Sequence, residues 1–393
     1  MALSKNSFNR VAKPRIYLDI IEYAKAIGYV KSFSNVNQTP INGDNNYPNV
    51  YNYNPTNVVS YIANGEYPVA GGNIERSNNQ SYMGWNCKFK NWDNENRNWA
   101  MLLKRINYVA VLGHNMQTCD PSFHKFTVTC KGSGGQTTIP TGYTSLVGNN
   151  ESCGNGYTVV EIDKWNQSDP EYFESFNFNI LSDSDNDEYF QSNSTTVNIG
   201  AVSAGMFYDF PHNTDIDVKI NYNYDGIKSK NTISGRTLTN VNYYKSPDWG
   251  NYPKWTHIPK ATLNNGNYIG DSWLDDMDMK PVNATGRRSY DVNFSFLSKS
   301  DTFNKSMEGN MFAYNMENNI SLVAADTPRF GVTKDNLMTT LNVLSLGGNI
   351  PFIFQPDSTK QEFVKVKLNQ KNLSITQTAP ELYSVKLRLT EVW

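Results

Sequence analysis

Cys119, His124 and Cys130 form the densest run of soft metal ligands in the chain, the donor types a zinc ion would take. Their spacing matches no zinc module. His114, His212 and His257 stand apart from one another and read as structural histidines. Asp183, Asp185 and Asp187 imitate the opening of a calcium loop. Glu188, however, stands where such a loop needs glycine, and Ser194 where it needs a bidentate glutamate. Asp275, Asp276 and Asp278 could offer a carboxylate pair for glycoside hydrolysis, but no supporting partner accompanies them. Both acidic clusters read as solvated turns. Trp249, Trp255 and Trp273 could stack on sugars, although core or interface packing is the commoner use. No nucleophile elbow, paired-histidine zinc helix, phosphate loop or C-x-x-C pair occurs. The expectation is a non-enzymatic protein, with no catalytic, cofactor-binding or metal-ligating residue assigned.

If the chemistry is not catalytic, composition should say what the surface is for. The net charge is −2 and charged residues are 18%, which argues against a nucleic-acid-binding stripe and against an acidic tail. Aromatics reach 13%, with 24 Tyr. Asparagine is about one residue in seven, far above ordinary usage. Tyr, Thr, Val and Phe suit half-buried pleated surfaces, while Asn and Gly suit turns, so the composition leans to β. No stretch is long and apolar enough to span a bilayer, and Met1-Ala2-Leu3-Ser4-Lys5 has no signal-peptide core, so assembly in a cytoplasm is expected. Cys87, Cys119, Cys130 and Cys153 are then read as reduced core residues. The N-x-S/T triplets at Asn283 and Asn319 follow from the abundance of asparagine.

Period-two patterning supplies the elements. Residues 1–99 read as a polar arm, a strand over Pro14–Leu18, a helix from Asp19 to Ile27, and an Asn- and Tyr-rich region with weak periodicity. Residues 100–206 read as a β-sandwich module, of jelly-roll or galactose-binding-like form. Its strands are expected at Ile106–Leu112, Phe126–Cys130, Tyr157–Ile162, Phe173–Leu181 and Thr196–Ser203, with Gly-rich turns between them. Residues 207–393 read as a second β-domain. Tyr290, Val292, Phe294 and Phe296 alternate with polar residues there, and 298–330 read as a polar loop. A short helix near 333–345 carries Leu337, Leu341 and Leu344 on one face, capped by Thr333 and ended by Gly347-Gly348. A C-terminal antiparallel meander follows, with Val364, Val366, Leu368, Tyr383, Val385, Leu387 and Leu389 on a dry face and Lys365, Lys367, Lys386 and Arg388 on a wet one. The fold class is therefore all-β and mainly antiparallel.

Four segments carry a resemblance. They are Asn107-Tyr108-Val109-Ala110-Val111-Leu112-Gly113-His114-Asn115, the stretch from Ile199-Gly200 through Gly205 into Pro211-His212, Gly286-Arg287-Arg288-Ser289-Tyr290-Asp291, and Pro351-Phe352-Ile353-Phe354-Gln355-Pro356-Asp357. Together they resemble tailed-bacteriophage tail-tip proteins of the distal-tail or baseplate type, over residues 100–393. The resemblance implies a ring-forming β-domain with an attached sandwich module, in a virion tail assembled in the host cytoplasm. The implied partners are further copies in a cyclic ring, commonly six-fold, together with the tail-tube protein and hub or receptor-binding fibre proteins. It carries over no functional residue, because function in that family lies in interfaces. A carbohydrate-binding module contacting the host surface is the alternative.

Overall fold

The computed structural model describes residues 13–36, 38–40, 49–52, 54–55, 59–63, 82–89, 106–114, 123–132, 137–138, 140–141, 157–161, 164–165, 173–182, 195–223, 227–241, 261–262, 268–269, 287–303, 337, 339–359 and 363–392. The fold is all-β, and every strand pairing among the described residues is antiparallel.

The order of events begins at β1 (Arg15–Asp19), whose five residues are all buried. Asp19 ends the strand and caps α1 (Ile20–Ala26), its carboxylate accepting the Glu22 N–H at 2.9 Å. The strands that follow are β2 (Val30–Val36), β3 (Val59–Ala63), β4 (Tyr82–Phe89), β5 (Tyr108–Leu112), β6 (Phe123–Gly132), β7 (Tyr157–Glu161) and β8 (Phe173–Ser182). Next come β9 (Thr195–Ile199), β10 (Ala201–Asp209), β11 (Lys219–Asn223), β12 (Ile227–Asn231), β13 (Thr237–Val241) and β14 (Arg287–Ser298). The last four are β15 (Phe352–Gln355), β16 (Val364–Leu368), β17 (Ile375–Ala379) and β18 (Leu382–Glu391).

A 10-stranded sheet dominates, in the order β7-β5-β10-β1-β15-β16-β18-β14-β11, with β17 also paired to β18. A five-stranded sheet runs β2-β4-β8-β6 and ends on Thr137–Thr138. β9 and β3 form a third sheet with Gln38–Pro40, and β12 pairs with β13 alone. The large sheet buries one face along most of its strands. Ile16, Val109, Val202, Val292, Phe354, Val366 and Leu387 share a continuous apolar cluster with Trp85, Cys87 and Phe176 of the five-stranded sheet. Around β1 the second face is buried as well, by Tyr17, Tyr108, Leu112, Ala201, Ile353 and Phe363. Strands covered on both faces read as unbroken apolar runs, which is why Tyr108–Leu112 shows no alternation.

Two glycines let the chain close. A Cβ on Gly205 would collide with the Leu18 carbonyl oxygen, where β10 passes the junction of β1 and α1. Gly200 separates β9 from β10, and a Cβ there would meet the Pro55 carbonyl. The single strand expected at Thr196–Ser203 is thus two strands that belong to different sheets.

The boundaries expected at 99/100 and 206/207 do not follow the sheets. β5, β7 and β10 lie in the large sheet with β1 and the C-terminal strands, while β6 and β8 lie in the five-stranded sheet with β4 and β2 of the first ninety residues. The 206/207 cut falls inside β10. The Asn- and Tyr-rich region holds β2, β3, β4 and a 3-10 turn at Asn49–Asn52, none of them placed by its weak periodicity.

The C-terminal elements differ from the sequence expectation at three points. The helix near 333–345 is a π-helix over Thr339–Leu344, with the Ser345 hydroxyl donating to the Leu341 carbonyl at its end. Leu337 and Leu341 are buried and belong to the main cluster, which also contains Val385, Leu387 and Leu389, whereas residues 333–336 and the Leu344 side chain lie outside the described residues. β16 and β17 both pair along one edge of β18, so the three strands are not a simple meander. Lys365, expected on a wet face, is buried, because the sheet at that point is covered on both sides.

Candidate assembly interface

The surface that stands out chemically is apolar. The large hydrophobic side chains left exposed among the described residues are Ile216, Val218, Ile220, Tyr222, Ile233, Leu238 and Phe296, and all belong to β11, its lead-in, the β12–β13 hairpin and β14. Scattered exposed apolar residues are ordinary; a cluster confined to one corner marks a contact surface.

Sequence builds this corner by alternation. Ile216, Val218, Ile220 and Tyr222 share one parity, with Asp217, Lys219, Asn221 and Asn223 on the other. β11 pairs with β14 so that Ile220 lies opposite Tyr290 and Tyr222 opposite Arg288. The apolar stripe therefore continues the layer of Tyr290, Val292 and Phe294, which are buried, onto a strand where Ile220 and Tyr222 are half exposed. The other face is charged: Lys219 is opposite Asp291, and Asp291 is opposite Arg388, whose Nε lies 3.7 Å from the Asp291 carboxylate. On β18 the expectation of one wet and one dry face holds, with Val385, Leu387 and Leu389 buried and Lys386 and Arg388 exposed. Among the described residues β11 is the last strand in the order, and no described strand pairs with its outer edge, where main-chain donors and acceptors lie.

Phe296 departs from the alternation that places Tyr290, Val292 and Phe294 inward. The pairing of β14 with β18 shifts between Phe294 and Leu297, and Phe296 sits in the bulge at φ +62°, 72% exposed. A left-handed backbone at an aromatic residue costs on the order of 1–3 kcal/mol and must be held by its surroundings. Asp215 is the holder. Its carboxylate accepts from the Ser295 N–H at 3.2 Å and the Ser295 hydroxyl at 2.7 Å, and its own N–H donates to Asn293 O at 2.9 Å. One carboxylate thus fixes both the lead-in carrying Ile216 and the bulge carrying Phe296. No periodicity in the sequence signals a bulge; the acidic residue five positions ahead of Ile220 is its only trace.

The hairpin that follows β11 in the chain is equally outward. Its tip is tied by Thr232, whose hydroxyl donates to Arg236 O at 3.0 Å and accepts from Arg236 N at 3.1 Å. Ile233 at that tip is fully exposed. A two-stranded hairpin alone is marginal in water, so one that turns its apolar residues outward is suited to a contact.

At the opposite end the polar groups are engaged internally. Arg15 is buried and holds Asp209 through Nε at 2.5 Å and a second nitrogen at 2.8 Å, and Glu161 at 2.6 Å. Its guanidinium lies 4.0 Å from the Phe207 ring centroid. The Tyr17 hydroxyl donates to Gln355 Oε1 at 2.9 Å. These groups clamp β1, β7, β10 and β15 together. Asp19 is pushed up to about 7, chiefly by burial and then by Glu22, against the bonds it accepts from Glu22 N and Ser203. Burial pushes Lys365 down to about 8, opposed by Glu22 and Asp19. Both are buried structural groups.

His114 is buried, its Nε2 2.9 Å from the Thr158 hydroxyl. His212 lies 6.2 Å from the Phe294 ring and serves packing. Cys87 is free and buried. Cys119, the side chains of His124 and Cys130, Cys153, both acidic clusters, His257 and the three tryptophans lie outside the described residues. Among the described residues no group of three or more His, Cys, Asp or Glu is placed to hold a metal ion, and no helix is long and apolar enough to cross a membrane. No family model, curated protein or solved structure matches the chain.

Proposed function

We propose that this chain is a non-enzymatic structural subunit of a bacteriophage tail, a distal-tail or baseplate ring protein that links the tail tube to hub or fibre proteins. The observation that carries the reading is the apolar stripe of Val218, Ile220 and Tyr222 left exposed on the strand that ends the large sheet among the described residues, with further exposed apolar side chains on its lead-in, on the following hairpin and on β14. Such a corner suits association with another protein surface and has no bearing on covalent chemistry. The resemblance of residues 100–393 to tail-tip proteins supplies the identity of the assembly, and the near-neutral charge agrees with contacts made to protein. Electron microscopy of the purified protein should show closed rings, alone or with tail-tube protein. Monomers alone in sedimentation at high concentration, with and without tail-tube protein, would sink the proposal.

A further inference from the structure

We infer that β11 is the strand through which two copies of this chain pair, edge to edge and antiparallel about a two-fold axis. This rests on reading the corner as an assembly surface, and it names the occupant of the edge. Natural sheet edges are commonly guarded by proline, by charge or by a covering segment. Within Lys219–Asn223 there is no proline, and the one charged residue, Lys219, already lies opposite Asp291 on β14. The far edge of the sheet cannot serve as the complement. β7 there carries a buried Thr158 and a half-buried Val159, so head-to-tail growth of one continuous sheet meets no open strand.

The β11 sequence complements itself. Residues directly opposite in an antiparallel pair share a face. Pairing centred on Ile220 sets Val218 against Tyr222 of the second copy, Ile220 against its own counterpart, Lys219 against Asn221 and Asp217 against Asn223. Pairing centred on Asn221 sets Ile220 against Tyr222 and Lys219 against Asn223. Both registers oppose apolar to apolar, as β-branched and aromatic residues prefer, and neither opposes like charges. A register centred on Lys219 would oppose two lysines and is disfavoured. The favoured registers extend the apolar layer of Tyr290 and Val292 across the axis, giving Ile220 and Tyr222 the cover they lack in one copy. A two-fold contact joins copies in pairs, so a closed assembly that keeps it is either the dimer itself or a larger assembly of an even number of copies with dihedral symmetry. A ring between two different neighbours has no such axis; there the pair is the unassembled form, and entry into the ring frees the edge.

Sedimentation velocity of the full chain at about 100 μM, where a small interface of this class is populated, should show a dimer. Ile220→Lys should return it to monomer with an unchanged melting temperature, since Ile220 is half exposed. Ile220→Cys and Asn221→Cys each place a thiol on the axis of one register. One of the two should form a covalent dimer on oxidation that the oxidised wild-type chain does not form. A wild-type monomer at that concentration, a dimer that survives Ile220→Lys, or no new crosslink in either cysteine variant overturns the pairing. Rings that form equally well from the Ile220→Lys chain, with no dimer in the wild type, would overturn the pairing and keep the ring reading. Dimers without rings would support the pairing and remove the ring.

Discussion

The two edges of the large sheet are finished in opposite ways. At β7 the last strand is sealed: Thr158 is buried against His114, and Glu161 is drawn to Arg15, two strands beyond the neighbouring β5. At β11 the apolar layer runs one strand past its cover, and a strained bulge turns Phe296 further outward. The first arrangement removes an edge from solvent; the second keeps one available. Both ends share the same core face, so the difference arises from what lies over the sheet and at its rim. A fold can thus be closed where it must hold together and open where it must meet something else.

The largest effect expected at the sealed end comes from excision. Residues 100–206 contain β5 to β9 but lose β1, β2 and β4, and they cut β10 short. The fragment should show no cooperative thermal transition by circular dichroism, and a sharp melt would show that the sealed half is an independent unit. Next is the shared core: Leu387→Ala should cost about 2–5 kcal/mol in a denaturant melt of the full chain, as for a buried leucine. Arg15→Met tests the clamp. Removing the buried guanidinium strands Glu161 and Asp209, and because Asp209 is 44% exposed the loss should be about 2 kcal/mol, below that of a fully buried pair.

The pH dependence is smaller and has a definite sign. Asp19 rises from 3.8 to about 7 in the folded chain, so it binds its proton more tightly folded than unfolded. Its contribution to stability is complete below its unfolded value and is lost as pH rises through 7. Asp19→Asn keeps an oxygen to cap α1 and removes that loss. Urea melts from pH 4 to pH 8 should show the variant gaining on the wild type as pH rises; a constant difference would mean that Asp19 is not held protonated. The smallest effect belongs to the wet face near the open edge. Lys386 is exposed there, and Lys386→Ala should change stability by less than about 0.5 kcal/mol. Equal losses from Lys386→Ala and Leu387→Ala would mean that β18 is buried on two faces and that the open end is closed by something else.

Much of this architecture is legible in residue order. Val385, Leu387 and Leu389 alternate with Lys386 and Arg388 because β18 has one covered face, and period two reports that directly. Asp19 before an apolar run announces the cap of α1. The failures have a common cause, since each depends on contacts between residues distant in sequence. Lys365 reads as solvated from its own neighbours, and only the layer of Tyr17 and Phe363 makes it buried. Thr196–Ser203 reads as one strand because the contact of Gly200 with Pro55 is not written locally. Phe296 fits the inward alternation until Asp215, far upstream, captures the Ser295 N–H. Nothing local states which strand comes last, so the alternation of Ile216 to Tyr222 does not reveal an edge.

The position of β1 has a consequence in time. It sits between β10 and β15, and Tyr17 bonds to Gln355 across 338 positions of sequence. At a synthesis rate of about 5–20 residues per second, the first strand emerges on the order of 20–70 s before its later neighbour exists. Its apolar residues Ile16 and Leu18 must be kept from wrong partners for that interval. So high a contact order makes final closure of the sheet slow and places its centre, not its edges, among the last parts to form. The nascent chain is therefore a natural client for a chaperone that holds extended apolar segments near residue 15 until the strand at 352–355 arrives.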